Sequence, residues 1–282
     1  MASHRSLPVL ATLVALMCAV PGAWAQGLAT ANLPCAEPWQ PGSELISAEA
    51  RVWDGGNLTW AVVGRSSVGQ DLEGQVTLFY MDTSGDDAIA GTVRDSHAFL
   101  AGLNFKWLAH RDEHVVISVV PGVEVPLDDM QGTNTDLPAT AISEDIIPVL
   151  SVPIAWDSGD GTVVTVVPRY VGFDDAPDVA GTTIPGFGDV FAIGASVRHR
   201  QEQYAVHADA QVVLEGGNTI DPADNSITDD LVWSAGATWF APDANWQVDL
   251  FATNAVGPTA STSIIAAPDQ SVGLGVRVGG EF

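Results

Sequence analysis

The chain has 282 residues, with 35 acidic side chains against 10 Lys and Arg and a formal charge of −25. That charge repels nucleic acid and anionic lipid and argues against either as a partner. Hydrophobic residues make up 46% of the chain and charged residues 16%, too apolar a balance for a disordered acidic protein.

The first 25 residues read as a secretory signal peptide. His4 and Arg5 form a short basic start, an apolar run covers Leu7 to Val20, Pro21 and Gly22 break it, and Ala23-Trp24-Ala25 is an A-x-A cleavage site. Met17 before Cys18 is not the small residue a lipoprotein signal needs. Cleavage after Ala25 removes Cys18 and leaves Cys35 as the sole cysteine, so an intramolecular disulfide is not expected. An exported chain without disulfides fits a bacterial envelope. Beyond residue 25 no stretch reaches the roughly 18 apolar residues of a transmembrane helix. Residues 26–42, with "LPCAEPWQPG", read as an unstructured periplasmic lead-in. Residues 43–282 form the folded domain.

From "LISAEARVW" onward the chain alternates with period 2, the mark of strands with one apolar and one polar face. "LTWAVVGR" and "QVTLFYM" follow. "AFLAGLNFKWL" puts Phe99, Leu103, Phe105 and Trp107 on one face and Gly102, Asn104 and Lys106 on the other. "HVVISVVPGVEV", "IIPVLSVPIAW", "TVVTVVPRYVGF", "VFAIGASVRHR", "QYAVHADAQVVLE", "LVWSAGATWF" and "WQVDLFATNAV" continue the pattern to "SVGLGVRVGGEF" at the end. Short polar turns such as "DSGDG", Gln201-Glu202 and "APDAN" alternate with long connections: Asp82 to Ser96, Leu127 to Asp145, Asp174 to Gly188, Gly216 to Asp229 and Gly257 to Gln270.

Regular alternation of short and long connections predicts an all-β, transmembrane, antiparallel up-and-down barrel with two unlike ends. The count is about twelve strands, with the first the weakest and ten the alternative, and parity places both termini on the short-turn side. The competing fold is a soluble exported β-sandwich, with the apolar face as its core.

The apolar face is expected to meet lipid, with Phe99, Leu103, Val119, Val152, Ile193, Val248, Leu250 and Val276 pointing out. Trp107, Trp156, Tyr204, Trp239, Trp246 and Phe282 all fall in the apolar phase beside a short turn or the C-terminus. Their amphipathic rings predict a girdle at the membrane–water boundary. Tyr80, Phe99, Tyr170, Phe191 and Trp233 supply a second girdle at the far end. The polar phase carries Lys106, Arg169, Arg198, Arg200 and Arg277 with Glu124, Asp209 and Asp249, which are expected to line a wet lumen and set its ion preference. Inward glycines (Gly102, Gly122, Gly194, Gly236, Gly273, Gly275 and Gly279) are expected to thin the wall. No insertion is long enough for a plug domain.

The last strand carries a resemblance. Phe282, preceded at alternate positions by Val278, Val276, Leu274 and Val272, resembles the C-terminal signal of Gram-negative outer-membrane β-barrel proteins, with a departure at Gly280 where a larger residue is common. The resemblance implies outer-membrane localisation, contact with outer-membrane lipid and recognition by the barrel-assembly machinery during insertion.

Signs of catalysis are few. Asp95-Ser96-His97 are adjacent on a strand and point to opposite faces, so they cannot form a triad. His114 with Ser118, and the lone His207, read as hydrogen-bonding residues. Asp221, Asp224, Asp229 and Asp230, and the run Asp174, Asp175, Asp178, lack the Gly and distal Glu of a calcium loop and read as solvated acidic loops open to weak divalent-cation binding. No cofactor motif is present. The expected function is a porin-like passive channel for small hydrophilic solutes or ions. A structural or surface-interaction barrel is the alternative, and a barrel enzyme comes after both.

Overall fold

A computed structural model of the chain describes residues 30–36, 42–53, 58–82, 97–127, 146–173, 178–179, 182–183, 186–220, 226–242, 245–267 and 271–282. Twelve antiparallel strands close into one barrel. They are β1 (Glu44–Val52), β2 (Leu58–Ser67), β3 (Leu72–Asp82), β4 (His97–Arg111), β5 (Val115–Pro126), β6, β7 (Thr162–Gly172), β8 (Asp189–Gln201), β9 (Tyr204–Glu215), β10 (Val232–Phe240), β11 (Trp246–Thr253) and β12 (Gly273–Glu281). Strand β6 runs in two halves, Ile147–Ser151 and Ile154–Asp157. Pro153 has no N–H to give the ladder. The neighbours bridge the gap: Val152 N donates to Pro168 O at 3.0 Å, and Ser118 N donates to Pro153 O at 3.1 Å.

The barrel closes where the sequence begins and ends it. β1 pairs with β12 from Leu45↔Glu281 to Val52↔Leu274. The terminal residue joins this seam, with Phe282 N donating to Glu44 O at 2.8 Å. A full circle leaves no strand edge for stray pairing. At the tight β8–β9 turn Glu202 takes φ of 52°, as two-residue hairpin loops require. Two short ribbons, Asp178–Val179 with Thr182–Thr183 and Thr219–Ile220 with Ile227–Thr228, lie in the long connections.

Burial is inverted relative to a water-soluble protein. Leu103, Ile193 and Leu250 are exposed on the outer wall, while Glu73, Glu124, Gln247 and Asp249 are buried inside. A sandwich would bury the apolar set between two sheets, but a single sheet curls on itself here. The aromatic residues fall where parity put them. Trp107 is 58% and Tyr204 63% exposed beside short turns, with Trp156 and Phe282 also exposed and Trp239 and Trp246 half-exposed. The Trp239 and Trp246 rings meet edge to face at 5.1 Å. At the other rim Trp60 stacks on Tyr80 at 5.5 Å and Tyr170 meets Phe191 at 4.9 Å.

Apolar packing within the barrel is concentrated at one end. Phe79, Met81, Leu100, Ile147 and Val190, all inward at the long-loop rim, pack on Val256, Ile264 and Ile265 of the β11–β12 connection. That connection turns into the barrel and caps it.

Candidate functional site: a lumen closed by two segments

Two stretches without strand structure fill the lumen. One is Thr30 to Ala36, which the sequence placed in an unstructured lead-in outside the barrel; Ala31, Leu33 and Ala36 are buried. The other is the β11–β12 connection, where Ser261 to Ala267 are all buried. No plug domain is present among the described residues, but these two short segments fill the lumen in its place.

A chain segment without a ladder leaves its own carbonyls and N–H groups unsatisfied, and burying them bare is costly. The lumen side chains meet that need. Arg51 donates from Nη1 to Ala255 O at 2.6 Å and from Nη2 to Ala31 O at 3.3 Å. Arg169 donates from Nη2 to Ala260 O at 2.6 Å and from Nη1 to Asn32 O at 3.4 Å. Each arginine thus ties both segments to one wall. Arg277 donates to Thr30 O at 3.4 Å, and Ser118 Oγ donates to Ala36 O at 2.5 Å. Asn32 Nδ2 donates to Asp209 Oδ1 and Thr253 Oγ1, both at 3.1 Å.

Glu124, on β5, holds the inward loop as well. Its carboxylate accepts the N–H groups of Ala260 at 2.6 Å and Ser261 at 3.2 Å, the Thr259 hydroxyl at 2.9 Å, and the Ser261 hydroxyl. Ser263 N closes a helical turn onto Thr259 O at 3.0 Å, so the carboxylate sits at the turn's N-terminal, partly positive end.

Other charges pair along the wall. His207 Nε2 lies 2.8 Å from Asp249 Oδ1, Arg277 Nη2 2.7 Å from Asp249 Oδ2, Arg277 Nη1 3.9 Å from Glu49 Oε2, and Arg51 Nε 2.6 Å from Glu49 Oε1. Lys106 Nζ pairs with Glu73 Oε2 at 3.2 Å and lies 3.5 Å from Cys35 Sγ. A cavity of about 80 Å³ remains beside the N-terminal segment, with Arg65, Lys106, Arg169, Arg277, Glu49 and Glu73 on its wall.

The lumen residues expected from sequence thus separate. Lys106, Arg169 and Arg277 reach the cavity. Glu124, Asp209 and Asp249 are buried but spend their oxygens on the segments and on neighbouring side chains. Arg198 and Arg200 are half-buried at the short-turn end, where Arg200 lies over the Phe240 ring at 4.1 Å. The glycines do not thin the wall. A Cβ at Gly194 would lie 2.6 Å from Leu33, and one at Gly273 3.0 Å from Trp53; Gly275 faces the Phe251 ring. Large side chains fill the space the glycines leave.

Four charged lumen residues escaped the sequence reading: Glu49, Arg51, Arg65 and Glu73. The signal was there in part, since Ser47, Glu49 and Arg51 share one phase of "LISAEARVW", and Arg65 shares a phase with Thr59 in "LTWAVVGR". Asp95, Ser96, Asp174, Asp175, Asp221 and Asp224 lie outside the described residues, as do the side chains of His97 and Asp178. Asp230 takes part through its backbone N–H, which donates to Asn218 Oδ1 at 2.7 Å. His114 and Ser118 do not meet: His114 Nδ1 reaches Asp157 O at 3.2 Å, while Ser118 faces Ala36. Among the described residues no group of three His, Cys, Asp or Glu is placed to hold a metal.

No protein-family model matches the chain, and no curated protein sequence does. Solved structures do match. An outer-membrane channel from Pseudomonas putida F1 superposes with a TM-score of 0.59 at 13% identity, over 88% of this chain and 98% of that one. The KdgM porin in complex with disordered oligogalacturonate gives 0.53 at 9% identity, over 84% and 99%. The NanC porin gives 0.53 at 7% identity, over 84% and 98%. The fold is that of outer-membrane porins and channels. Identities this low carry the fold and nothing finer.

Proposed function

We propose that this chain is a porin-like passive channel of the Gram-negative outer membrane, for small hydrophilic solutes or ions, and that its two inward segments close it at rest. The observation that carries this reading is the make-up of the lumen. A barrel with only a mechanical role needs no space inside and can fill its interior with side chains alone, as the smallest barrels do. This one keeps an ionised, partly hollow wall and closes it with short stretches held by side-chain hydrogen bonds. Such contacts exchange for water far more easily than a strand ladder opens. Export, signal cleavage after Ala25 and insertion by the barrel-assembly machinery through the Phe282 strand belong to the same reading. The arginines set ion preference only once the segments move, with Arg198 and Arg200 at the short-turn mouth.

A purely structural barrel is the second reading. It is favoured by Arg51 and Arg169, each of which ties both segments to the wall. Catalysis has no comparable support: among the described residues the lumen brings no nucleophile to a free base.

Liposome swelling separates the readings. Vesicles carrying the purified barrel should swell in isosmotic arabinose or glycine faster than empty vesicles. Swelling no faster than empty vesicles, both for the wild type and for a variant with the loop released by Glu124→Ala, would leave the structural reading standing.

A further inference from the structure

We propose that the lumen cavity is a binding site for one small monovalent anion of carboxylate size, with Arg65 as its principal ligand. The inference does not rest on conduction, because a closed barrel could hold the anion equally well.

Arg65 lies on β2, opposite Leu45 of β1 and Gln75 of β3 in the register. Its guanidinium reaches the wall of the cavity. Its Nε and Nη1 are both buried and have no hydrogen-bond partner. A guanidinium is charged at every physiological pH and carries N–H groups only, so it can be satisfied only by acceptors. Arg65 as a whole is half-buried, but donors that are themselves buried and left without an acceptor are unfavourable. Water can accept the hydrogen bonds but cannot neutralise the charge.

The carboxylates on the same wall are committed elsewhere. Glu73 pairs with Lys106 at 3.2 Å. Glu49 pairs with Arg51 at 2.6 Å and lies 3.9 Å from Arg277. Arg169, also on this wall, spends its Nη groups on carbonyls, a side-chain amide and a hydroxyl. The cavity wall therefore holds four cations, Arg65, Lys106, Arg169 and Arg277, against the two carboxylates of Glu49 and Glu73. Arg277 is also paired with Asp249 at 2.7 Å, so the wall cation with both Nε and Nη1 open and no ion pair among the described residues is Arg65. Open donors on a fixed cation select an anion over a cation. The volume of about 80 Å³, several times the roughly 10–15 Å³ that one water needs on the same measure, admits formate, acetate or a halide.

The test uses the detergent-solubilised barrel and acetate as the probe. Saturation-transfer difference NMR should show saturation passing from protein to the acetate methyl group, and formate should displace it. Arg65→Gln should reduce the transfer roughly five-fold or more, as the charge-assisted hydrogen bonds are lost. Arg111→Gln, at the exposed end of β4, should leave it unchanged. No transfer to acetate with wild-type protein, or equal transfer with Arg65→Gln, overturns the proposal. Should Arg65→Gln not migrate as a folded barrel in an unheated gel, wild-type crystals grown in bromide decide the matter. An anomalous peak beside Arg65 supports the site, and peaks confined to the outer surface, or none, overturn it.

Discussion

Leu33 fills the hollow in front of Gly194, so that a Cβ on residue 194 would lie 2.6 Å from Leu33 Cδ2. The side chain of Leu33 is buried, and it comes from a segment that no strand holds. The absence of a side chain on β8 is therefore part of what seats the N-terminal segment. Gly194→Val should push Leu33 out and loosen Thr30 to Ala36. Cys35, in the same segment, reports the change. Its alkylation by a water-soluble maleimide should speed up roughly ten-fold, as expected when a local opening becomes about 1.4 kcal/mol easier. An unchanged rate would mean that the segment is held without Leu33.

The carboxylate of Glu124 gathers the N–H groups of Ala260 and Ser261 and the hydroxyls of Thr259 and Ser261. Hydrogen bonds to a charged acceptor contribute about 1.5–3 kcal/mol each, and the donors stay buried when it is removed. Glu124→Ala should destabilise the barrel by about 3 kcal/mol or more, read from guanidinium unfolding out of phospholipid vesicles. A change within about 0.5 kcal/mol, the scale of an ordinary surface substitution, would show that the loop is not latched there.

Leu250 is 61% exposed at the middle of β11, with Ala237 and Val276 as its cross-strand partners. If lipid covers it, Leu250→Arg should cost about 2–4 kcal/mol, falling towards zero for Arg placed beside the girdles. The same substitution on a water-facing wall would be nearly neutral. A flat response along the strand would contradict the membrane-spanning reading.

At the short-turn end, Asp112 accepts the N–H groups of His114 and Val115 at 2.9 and 2.8 Å. These bonds, the His114 bond first, with help from the His110 side chain, pull its carboxyl from 3.8 to about 2. A depressed carboxyl stabilises the fold above its unfolded value and loses that contribution as pH falls through the folded one. The melting-temperature gap between wild type and Asp112→Asn should be full above about pH 5 and close towards pH 2. A gap that persists unchanged at pH 2 would assign the effect to something other than the carboxylate.

The wall of this barrel was legible in the sequence because lipid and lumen impose a period of 2 that local spacing records. Trp107, Leu103 and Lys106 could be assigned to opposite faces from "LNFKW" alone. What fills the lumen was not legible. "GPTASTSIIAAPDQS" has the composition of a solvated loop, yet Ile264 and Ile265 pack on Phe79, Met81 and Leu100 across the barrel. Parity says that Arg169 points inward. It cannot say that the partners there are backbone carbonyls of Asn32 and Ala260, distant in sequence. The glycines misled for the same reason, since a missing side chain reads equally as open space and as a socket. Glu49 and Arg51 were passed over because the small outward residues Ala48 and Ala50 of β1 blur the alternation.

The central claim is that a conducting lumen lies behind the two segments. Single-channel recording in a planar bilayer, comparing the wild type with a variant lacking residues 30–36, tests it most directly. The account predicts a small or intermittent conductance for the wild type and a larger, steadier one for the deletion, rising again when Glu124→Ala releases the inward loop. A barrel that inserts and folds but conducts no ions in any of these forms would contradict it.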